Sequence, residues 1–297
     1  MSSKILITGA EGQLGRVLQQ RLGASFNLIP TAKSPTEMAI KKRNVRKMDI
    51  TNLSSVKSCI EIENPDTIIN CAAMTDVDVC EKNHKLAHNV NVRGLQNIIK
   101  SIDRRVKIIQ ISTDYVFEGK DGPYSETDPT CPLSYYGRSK LEAENILIGS
   151  LRPYSIIRGS VLYGNPLNSK PNFFSWVYDS LLQNRNIKVV IDQTCNPAWL
   201  PSLSDALMKM ILLNSEGIYH FGSDDHLSRY SFAILIASIF GFDSDLITPV
   251  KSNSIPFIAK RPIHSGLNIE KISEELDVVT LPTIECLKMI KNQILVS

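Results

Sequence analysis

The chain has 297 residues, of which 43% are hydrophobic and 21% are charged, and its formal net charge is +3. This length allows one large domain or two smaller ones with a substantial buried core. The small net charge argues against nucleic acid and membrane surfaces as partners. No apolar run reaches the ~18 residues of a membrane span. We therefore expect neither kind of partner.

The first 160 residues alternate apolar runs with segments of helical periodicity. Six apolar runs predict strands: KILITG, FNLIPTA, VRKMDI, TIINCAA, VKIIQIST and YSIIRGSVLYG. Between them, helices are predicted for QLGRVLQQRLG, TNLSSVKSCIEIENP, NVNVRGLQNIIKSID and SYYGRSKLEAENILIGS. Gly23 is expected to end the first helix, and Thr51 or Asn52 to cap the second. The basic run KKRNVRK at 41–47 is interpreted as a solvated loop.

Continuously apolar strands separated by helices indicate a parallel sheet covered on both faces. Residues 1–160 are therefore predicted to form an NAD(P)-binding, doubly wound α/β domain of the Rossmann type, with sites at the carboxyl ends of its strands. The pattern is less regular afterwards, with helices predicted for NFFSWVYDSLLQN, SLSDALMKMILLN and SRYSFAILIASIFG, strands for IKVVIDQ and GIYHFG, and two short helices after 243. Residues 161–297 are predicted to be mainly a smaller, irregular α/β substrate-binding domain, with part of 188–222 returning to the sheet.

The cysteines and the N-terminus bear on location. None of the six cysteines has the two-residue spacing of a metal or redox pair, and several lie in apolar surroundings. We interpret them as reduced thiols and expect no metal site. The N-terminal stretch MSSKILITG enters an apolar strand at once, which leaves no room for a signal peptide. The sequence thus predicts a cytoplasmic protein.

A glycine-rich loop joins the first strand to the first helix. ITGAEGQLG places Gly9, Gly12 and Gly15 there, in the spacing Gly-x-x-Gly-x-x-Gly, together with Gln13 and Leu14. Glycines at this junction allow a tight turn and bring the backbone close to a pyrophosphate at a helix N-terminus. We predict that these five residues bind a dinucleotide cofactor.

The end of the second strand bears on the choice between NADPH and NADH. An NAD site usually carries an acidic residue there, which holds the ribose 2′-hydroxyl. LIPTAKSP instead offers Thr31 and Lys33, and a lysine suits the 2′-phosphate of NADP, with Arg16 as a second cation. NADPH is therefore preferred. A simple loop role for Lys33 and the use of NADH stay open.

A tyrosine and a lysine on the helix after the fifth strand form a candidate proton-transfer site. Tyr136 and Lys140 are four residues apart and share one helix face. An ammonium near the phenol is expected to lower its pKa from about 10, so that the phenol exchanges a proton with a substrate oxygen while hydride moves to the neighbouring carbon. Thr113, at the end of the fifth strand, is placed to bind the same oxygen.

With these motifs the chain resembles the extended short-chain dehydrogenase/reductases, and within them the dTDP-4-dehydrorhamnose reductase family. Besides the glycine loop, STDYVFEG and YGRSK, the resemblance is carried by NCAAMTDVDVCEKN, VNVRGLQNI, PNFFSWV, VVIDQTCNPAWLPSLSDA, GIYHFGSDDHLSRYSFA and AKRPIHSGLN. It covers nearly the whole chain except 20–45 and the part after 275. It implies an NADPH-dependent reductase that converts dTDP-4-dehydrorhamnose to dTDP-L-rhamnose in deoxysugar and polysaccharide biosynthesis.

The resemblance also implies roles for individual residues. The implied catalytic residues are Thr113, Tyr136 and Lys140. Beyond the glycine loop and Lys33, the implied cofactor contacts are Asp49, Ile50, Ala72, Ala73, Thr75 and Asn91. The first two flank the adenine, the next three line the ribose and nicotinamide, and Asn91 steadies the helix and a water. The implied substrate residues are Asp114, Val116, Asn172, Phe173 and Arg261. Arg261 is expected either to bind the diphosphate as a bidentate partner or to form a structural ion pair.

Two departures from the family pattern leave alternatives open. Ala198 follows Pro197 where the family has threonine, which leaves the sugar identity open. Val17 stands where some members have a glutamate that helps to bind magnesium at a dimer interface, so we expect a monomer or weak homodimer. The alternatives are a reductase of a UDP- or GDP-linked 4-keto sugar and a non-catalytic, NADP-binding regulatory subunit of the methionine adenosyltransferase type. An epimerase or dehydratase of the same superfamily is disfavoured, and against a dehydratase stands that Asp114 and Tyr115 follow Thr113 where such enzymes have an Asp-Glu pair.

Overall fold

Seven parallel strands form the central sheet of the computed structural model, which describes residues 3–165 and 172–296. In spatial order they are Gly217–Phe221 (β11), Tyr154–Gly159 (β6), Lys107–Thr113 (β5), Thr67–Asn70 (β4), Lys4–Thr8 (β1), Asn27–Ala32 (β2) and Arg46–Lys47 (β3). The inner strands are isoleucine-rich and almost wholly buried, because helices cover both faces. The predicted doubly wound α/β fold is confirmed.

The helices follow the strands in the predicted alternation. They are Gln13–Leu22 (α1), Glu37–Arg43 (α2), Leu53–Glu63 (α3), Val77–Lys82 (α4), His84–His88 (α5), Gly94–Ser101 (α6), Tyr135–Gly149 (α7), Phe173–Leu182 (α8), Leu200–Leu212 (α9), Arg229–Phe240 (α10), Glu270–Leu276 (α11) and Thr283–Val296 (α12). The Asn52 side chain caps α3 and the Ser134 side chain caps α7, each by accepting a backbone N–H of the first turn. None of the helices in the described part of the chain has both the length and the apolarity to cross a membrane.

Three small sheets build the side of the molecule that faces the strand ends. Leu162–Tyr163 (β7) pairs with Ala198–Trp199 (β10), Ile187–Val190 (β8) with Ile247–Val250 (β13), and Thr194–Cys195 (β9) with Leu227–Ser228 (β12). Aromatic side chains from α8 and α10 form the core of this region. β11 and α9 lie instead on the central sheet, where β11 pairs with β6 and α9 packs on α1. These contacts support our proposal that 1–160 and part of 188–222 form the cofactor domain.

The strand order reverses next to β1, and this places the site. β1 has β2 on one side and β4 on the other, so the connections after β1 and β4 leave the sheet in opposite directions. A crevice at the carboxyl ends of two such strands is where ligands bind in open α/β sheets. The glycine loop follows β1 at this point, and Ala72 and Ala73 follow β4.

Three local predictions were wrong. The run 41–47 is not a loop: Lys41–Arg43 end α2 and Arg46–Lys47 form β3, because the Thr36 cap, the left-handed Asn44 and the buried Ala39 define a short helix. Gly23, in contrast, ends α1 as predicted, although its φ of −61° does not use the conformational freedom of glycine. YSIIRGSVLYG is not one strand, since β6 ends at Gly159 and β7 pairs with β10. The last helix, α12, has 14 residues and is not short.

Candidate active site

The glycine loop is too tightly packed for other residues. Gly9 has φ +63°, and a Cβ there would lie 2.9 Å from the backbone N and Cα of Ala72. A Cβ on Gly15 would lie 2.5 Å from the carbonyl oxygen of Gly9. Gly12 precedes α1 and has no side chain to cap it. The loop therefore leaves the first N–H groups of α1 without a side-chain cap, as anion-binding helix N-termini do.

Lys33 and Asp49, two of the expected cofactor contacts, pair with each other. The Lys33 Nζ lies 3.1 Å from the Asp49 Oδ2, and the lysine side chain is 70% exposed. Asp49 also accepts hydrogen bonds from the N–H and hydroxyl of Thr51. Although burial raises the pKa of Asp49, the hydrogen bonds from Thr51 and Lys33 bring it below its usual value. The lysine that would favour NADP is thus present, but its ammonium is paired with the carboxylate of Asp49.

The remaining expected cofactor contacts lie at different depths. Ala72 and Ala73 are half-buried and Thr75 is exposed, all on the segment after β4. The Ala72 N–H is fixed by the hydroxyl of Thr8 at 3.0 Å. Ile50 differs from the expectation: its side chain is 6% exposed and packs so closely on Gly94 that a Cβ there would lie 2.5 Å from the Ile50 Cδ1. The core therefore takes the Ile50 side chain, which leaves only its backbone for an adenine.

Asn91 braces this segment against α7. It is 3% exposed and lies in a π-turn, Asn89–Arg93. Its amide donates to the Met74 carbonyl at 3.1 Å and to the Ser139 Oγ at 2.9 Å, and its oxygen accepts the Met74 N–H at 2.8 Å. Because these bonds use both N–H donors and the amide oxygen, the geometry favours a bracing role over direct contact with a cofactor.

The three expected catalytic residues meet where β5 ends against α7. Thr113 is the last residue of β5, and its hydroxyl donates to the Asp114 carboxylate at 3.0 Å. Tyr136 and Lys140 lie one turn apart on α7, and Ser134 caps that helix. The Lys140 Nζ donates to the Ile111 carbonyl oxygen at 2.5 Å. The Tyr136 ring contacts the edge of the Tyr115 ring, with centroids 5.8 Å apart.

The protonation states differ from the expected ones. Burial raises the pKa of Tyr136 well above its ordinary value, and a hydrogen bond with Thr113 opposes this only in part. Burial lowers the pKa of Lys140 to about 8, and the charge of Glu144 opposes it. The pKa of Tyr136 is therefore not lowered overall as expected, because burial dominates, and the Lys140 ammonium binds the Ile111 carbonyl in this conformation. A protonated phenol is the form that can donate a proton to a substrate.

Two of the expected substrate contacts, Asp114 and Val116, have buried side chains. Asp114 is 2% exposed, and its carboxylate accepts the hydroxyls of Thr113, of Ser160 at 3.0 Å and of Ser265 at 2.6 Å. Val116 has no exposed surface and packs among buried apolar side chains. Both side chains are thus enclosed by protein in this conformation. Asp114 holds the Thr113 hydroxyl, which places it behind the site.

The other substrate-side residues lie on α8 and on the C-terminal segment. Asn172 caps α8, and its amide also donates to the Gln13 Oε1 of the glycine loop at 3.0 Å. Phe173 follows it and is half-buried. Arg261 makes two hydrogen bonds to Asp78, of 3.0 and 2.9 Å, so the structural ion pair, one of the two expectations for this residue, is present.

A buried ionic network behind α7 was missed in the sequence. Glu144 lies one turn after Lys140 and binds Arg158 of β6, with 2.7 Å between Oε2 and Nη2. The Ser112 hydroxyl donates to Glu144, and His220 of β11 lies 3.4 Å from the Arg158 Nη1. The sequence does contain a signal for this network. Glu144 lies four residues after Lys140, as Lys140 lies four residues after Tyr136, so the three side chains share one face of the helix.

The cysteines are unpaired, and five of them are at least half-buried, with Cys131 exposed. Burial raises the pKa of Cys71 to about 12, which keeps this thiol protonated. Within residues 3–165 and 172–296, no three His, Cys, Asp or Glu side chains form a group that could hold a metal ion.

The chain is similar to proteins of known family over nearly its whole length. The model of the family described as RmlD substrate binding domain matches residues 3–294. A dTDP-4-dehydrorhamnose reductase from Aggregatibacter actinomycetemcomitans is 36% identical over 93% of this chain and 94% of its own. The crystal structure of a dTDP-4-dehydrorhamnose reductase from Clostridium acetobutylicum is 34% identical, with a TM-score of 0.87 over 98% of this chain and 99% of that one.

A third relative was solved with a cofactor. This dTDP-4-dehydrorhamnose reductase from Bacillus anthracis, in complex with NADP, is 29% identical and superposes with a TM-score of 0.87 over 99% of this chain and 100% of its own. The family match covers far more than half of the chain, and the Aggregatibacter relative exceeds 30% identity. The chain therefore belongs to the RmlD family, the dTDP-4-dehydrorhamnose reductases of the extended short-chain dehydrogenase/reductase superfamily.

Proposed function

We propose that this protein is an NADPH-preferring reductase of a nucleotide-linked 4-keto-6-deoxyhexose, which converts dTDP-4-dehydrorhamnose to dTDP-L-rhamnose. The observation that carries the proposal is the meeting of Thr113, Tyr136 and Lys140 at the end of β5, beside the glycine loop at the end of β1. Membership in the reductase family supports the choice of substrate.

The glycine loop and its neighbours fit the cofactor. The contacts that exclude a Cβ at Gly9 and Gly15 leave the backbone open to a pyrophosphate at the start of α1. Lys33 would hold the 2′-phosphate, with Asp49 sharing its charge. When bound, NADPH supplies the hydride for the C4 carbon of the sugar. The NADP complex of the Bacillus anthracis relative supports this assignment.

Tyr136 is assigned as the proton donor to the oxygen on C4. Its raised pKa keeps the phenol protonated near neutral pH, so that it can neutralise the alkoxide that forms as the carbonyl is reduced. The Thr113 side chain orients the phenol, and Asp114 holds the Thr113 hydroxyl from behind. The ammonium of Lys140, one turn away, stabilises the phenolate that remains.

The test is NADPH and NADH oxidation with dTDP-4-keto-6-deoxy-L-lyxo-hexulose made in situ. The wild type is expected to turn over with NADPH, and Tyr136→Phe is expected to lose about 10²- to 10⁴-fold in kcat while it still binds NADPH. Turnover only with UDP- or GDP-linked keto sugars would mean that the substrate carries one of these nucleotides instead of dTDP. Tight NADPH binding without turnover on any of these sugars would favour the regulatory-subunit alternative.

We also propose that the protein acts in the cytoplasm as a monomer or weak homodimer. The unpaired cysteines suit a reducing compartment. Val17, in place of the glutamate of some relatives, argues against a magnesium-linked dimer. Light scattering with and without Mg²⁺ should give the same mass, and a Mg²⁺-dependent dimer would contradict the proposal.

A further inference from the structure

The arginine that the sequence suggested for the substrate phosphates already has a partner. Arg261 donates to both carboxylate oxygens of Asp78, and its guanidinium lies 3.9 Å from the centre of the Phe257 ring. The side chains of Arg261 and Asp78 are 15% and 29% exposed. Moving Arg261 to a phosphate would leave a partly buried carboxylate without its cation, which is unfavourable.

A second arginine lies close by and is not committed in this way. Arg229 is half-buried, and its guanidinium lies 5.0 Å from the centre of the Phe173 ring. In the described ranges, 3–165 and 172–296, no carboxylate lies within ion-pair distance of it, unlike Arg158 and Arg261. Arg229 is also the first residue of α10, where the helix dipole disfavours a positive charge. Helix stability therefore does not account for an arginine at this position.

Backbone contacts connect Arg229 through intervening segments to the strand end that carries Thr113. Its N–H donates to the Gln193 carbonyl at 2.9 Å, and the preceding strand β12 pairs with β9. β9 is joined in turn to the segment whose Ser265 hydroxyl binds Asp114 at 2.6 Å, and Asp114 follows Thr113. A short series of direct contacts thus runs from Arg229 to the proposed catalytic residues.

Tyr115 contacts a proposed catalytic residue and is also affected by the charges of both arginines. Its ring contacts the Tyr136 ring. Burial raises the pKa of Tyr115, and the positive charges of Arg229 and Arg261 both oppose this increase. Both guanidinium groups are therefore within electrostatic reach of Tyr115, but Arg261 alone is neutralised by a carboxylate at hydrogen-bond distance. A dianionic group beside Tyr115 would find in Arg229 a cation that, among the described residues, no carboxylate binds at ion-pair distance, although its charge also acts on Asp114.

We infer that Arg229 is the residue that binds the diphosphate of the nucleotide-sugar substrate, and that Arg261 instead keeps the C-terminal segment on α4 through Asp78. This inference rests on the proposed function for the class of substrate and assigns a residue to it. The contact with the Phe173 ring, 5.0 Å from its centre, helps to position the guanidinium, whose planar group can offer two parallel N–H donors to phosphate oxygens. Phe173 follows Asn172, which binds Gln13, so the same helix end contacts the glycine loop.

The test is a binding experiment that does not require turnover. dTDP, UDP and GDP are titrated by calorimetry into the NADP-loaded protein, and the tightest of them is compared with its parent nucleoside. Arg229→Gln should weaken binding of the diphosphate about 10- to 100-fold and leave binding of the nucleoside unchanged. Arg229→Lys should recover part of the loss, because it restores the charge without the planar fork. Arg185→Gln, at an exposed arginine after α8, is the matched control and should bind like the wild type.

Two results would overturn the inference. One is wild-type affinity for the diphosphate in Arg229→Gln together with a loss in Arg261→Gln, which would make Arg261 the ligand. The other is an equal loss for diphosphate and nucleoside in Arg229→Gln, which would indicate that the substitution only disturbs Phe173. Neither result depends on whether the keto sugar is turned over, so a failure of the proposed reaction remains distinguishable from a failure of this assignment.

Discussion

Two arginine–carboxylate pairs flank the candidate site, and they differ in burial. Arg158 and Glu144 are 4% and 1% exposed and join β6 of the central sheet to α7. Arg261 and Asp78, on the substrate side, are 15% and 29% exposed and join α4 to the C-terminal segment. Both pairs share two hydrogen bonds or more. An arginine–carboxylate pair thus holds α7 against the central sheet in one region and holds the C-terminal segment against α4 in the other.

The buried pair is completed by further hydrogen bonds. Glu144 also accepts the Ser112 hydroxyl, while Arg158 lies against His220 and, at 5.1 Å, over the Phe117 ring. Burying two charges is unfavourable unless their remaining donors and acceptors are satisfied. Because Glu144 lies on the helix that carries Tyr136 and Lys140, the network ties this helix to the sheet and bears directly on the geometry of the site.

The largest expected effect comes from breaking the buried pair. Arg158→Met leaves Glu144 charged in the interior and should lower the free energy of unfolding by about 3–5 kcal/mol. Urea denaturation at pH 7 measures this. Combining it with Glu144→Leu should recover much of the loss, since it removes the unpaired charge. A single variant that unfolds at the wild-type urea concentration would contradict the view of this network as a fixed scaffold.

A smaller effect is expected on the pH dependence of catalysis. The pKa of Lys140 is lowered to about 8 by burial, so its stabilising charge, and with it kcat, should be lost as the pH rises through about 8. The negative charge of Glu144 raises that pKa, and Glu144→Gln should therefore move the alkaline limb of the kcat profile to lower pH. Asp78→Asn, in the other pair, is the control. An alkaline limb that stays in place in Glu144→Gln would show that Lys140 does not produce it.

The smallest effect is expected at the less buried pair, Arg261 and Asp78. Asp78→Asn should cost about 1 kcal/mol at pH 7, because water screens part of the interaction with Arg261. The hydrogen bond from Arg261, opposed by burial, lowers the pKa of Asp78, so this stabilisation is present above the unfolded value of 3.8 and is lost as the pH falls through the lower folded value. Urea unfolding at several pH values should bring variant and wild type together in acid. A difference that persists there would mean that the amide perturbs packing.

The sequence by itself determined the features that depend on neighbours along the chain. Apolar runs and helical periodicity predicted the strands and helices of the doubly wound sheet, because backbone hydrogen bonding and one-sided burial follow local patterns. The glycine spacing predicted the loop after β1, and the four-residue step predicted that Tyr136 and Lys140 share a helix face. The prediction of a loop for 41–47 is wrong, because a run of charges does not reveal the short helix that Thr36 and Asn44 bound.

Only the tertiary structure decided which distant groups meet. Arg261 binds a carboxylate 183 positions away, Asp114 receives a hydroxyl from Ser265, and β11 returns to the sheet beside β6. The protonation of Tyr136 also depended on burial, which the spacing to Lys140 does not reveal. Local patterns fix where a side chain lies on its own helix or strand. Its partner and its exposure to water are set by how those elements pack, and with them the pKa values and charges of the site.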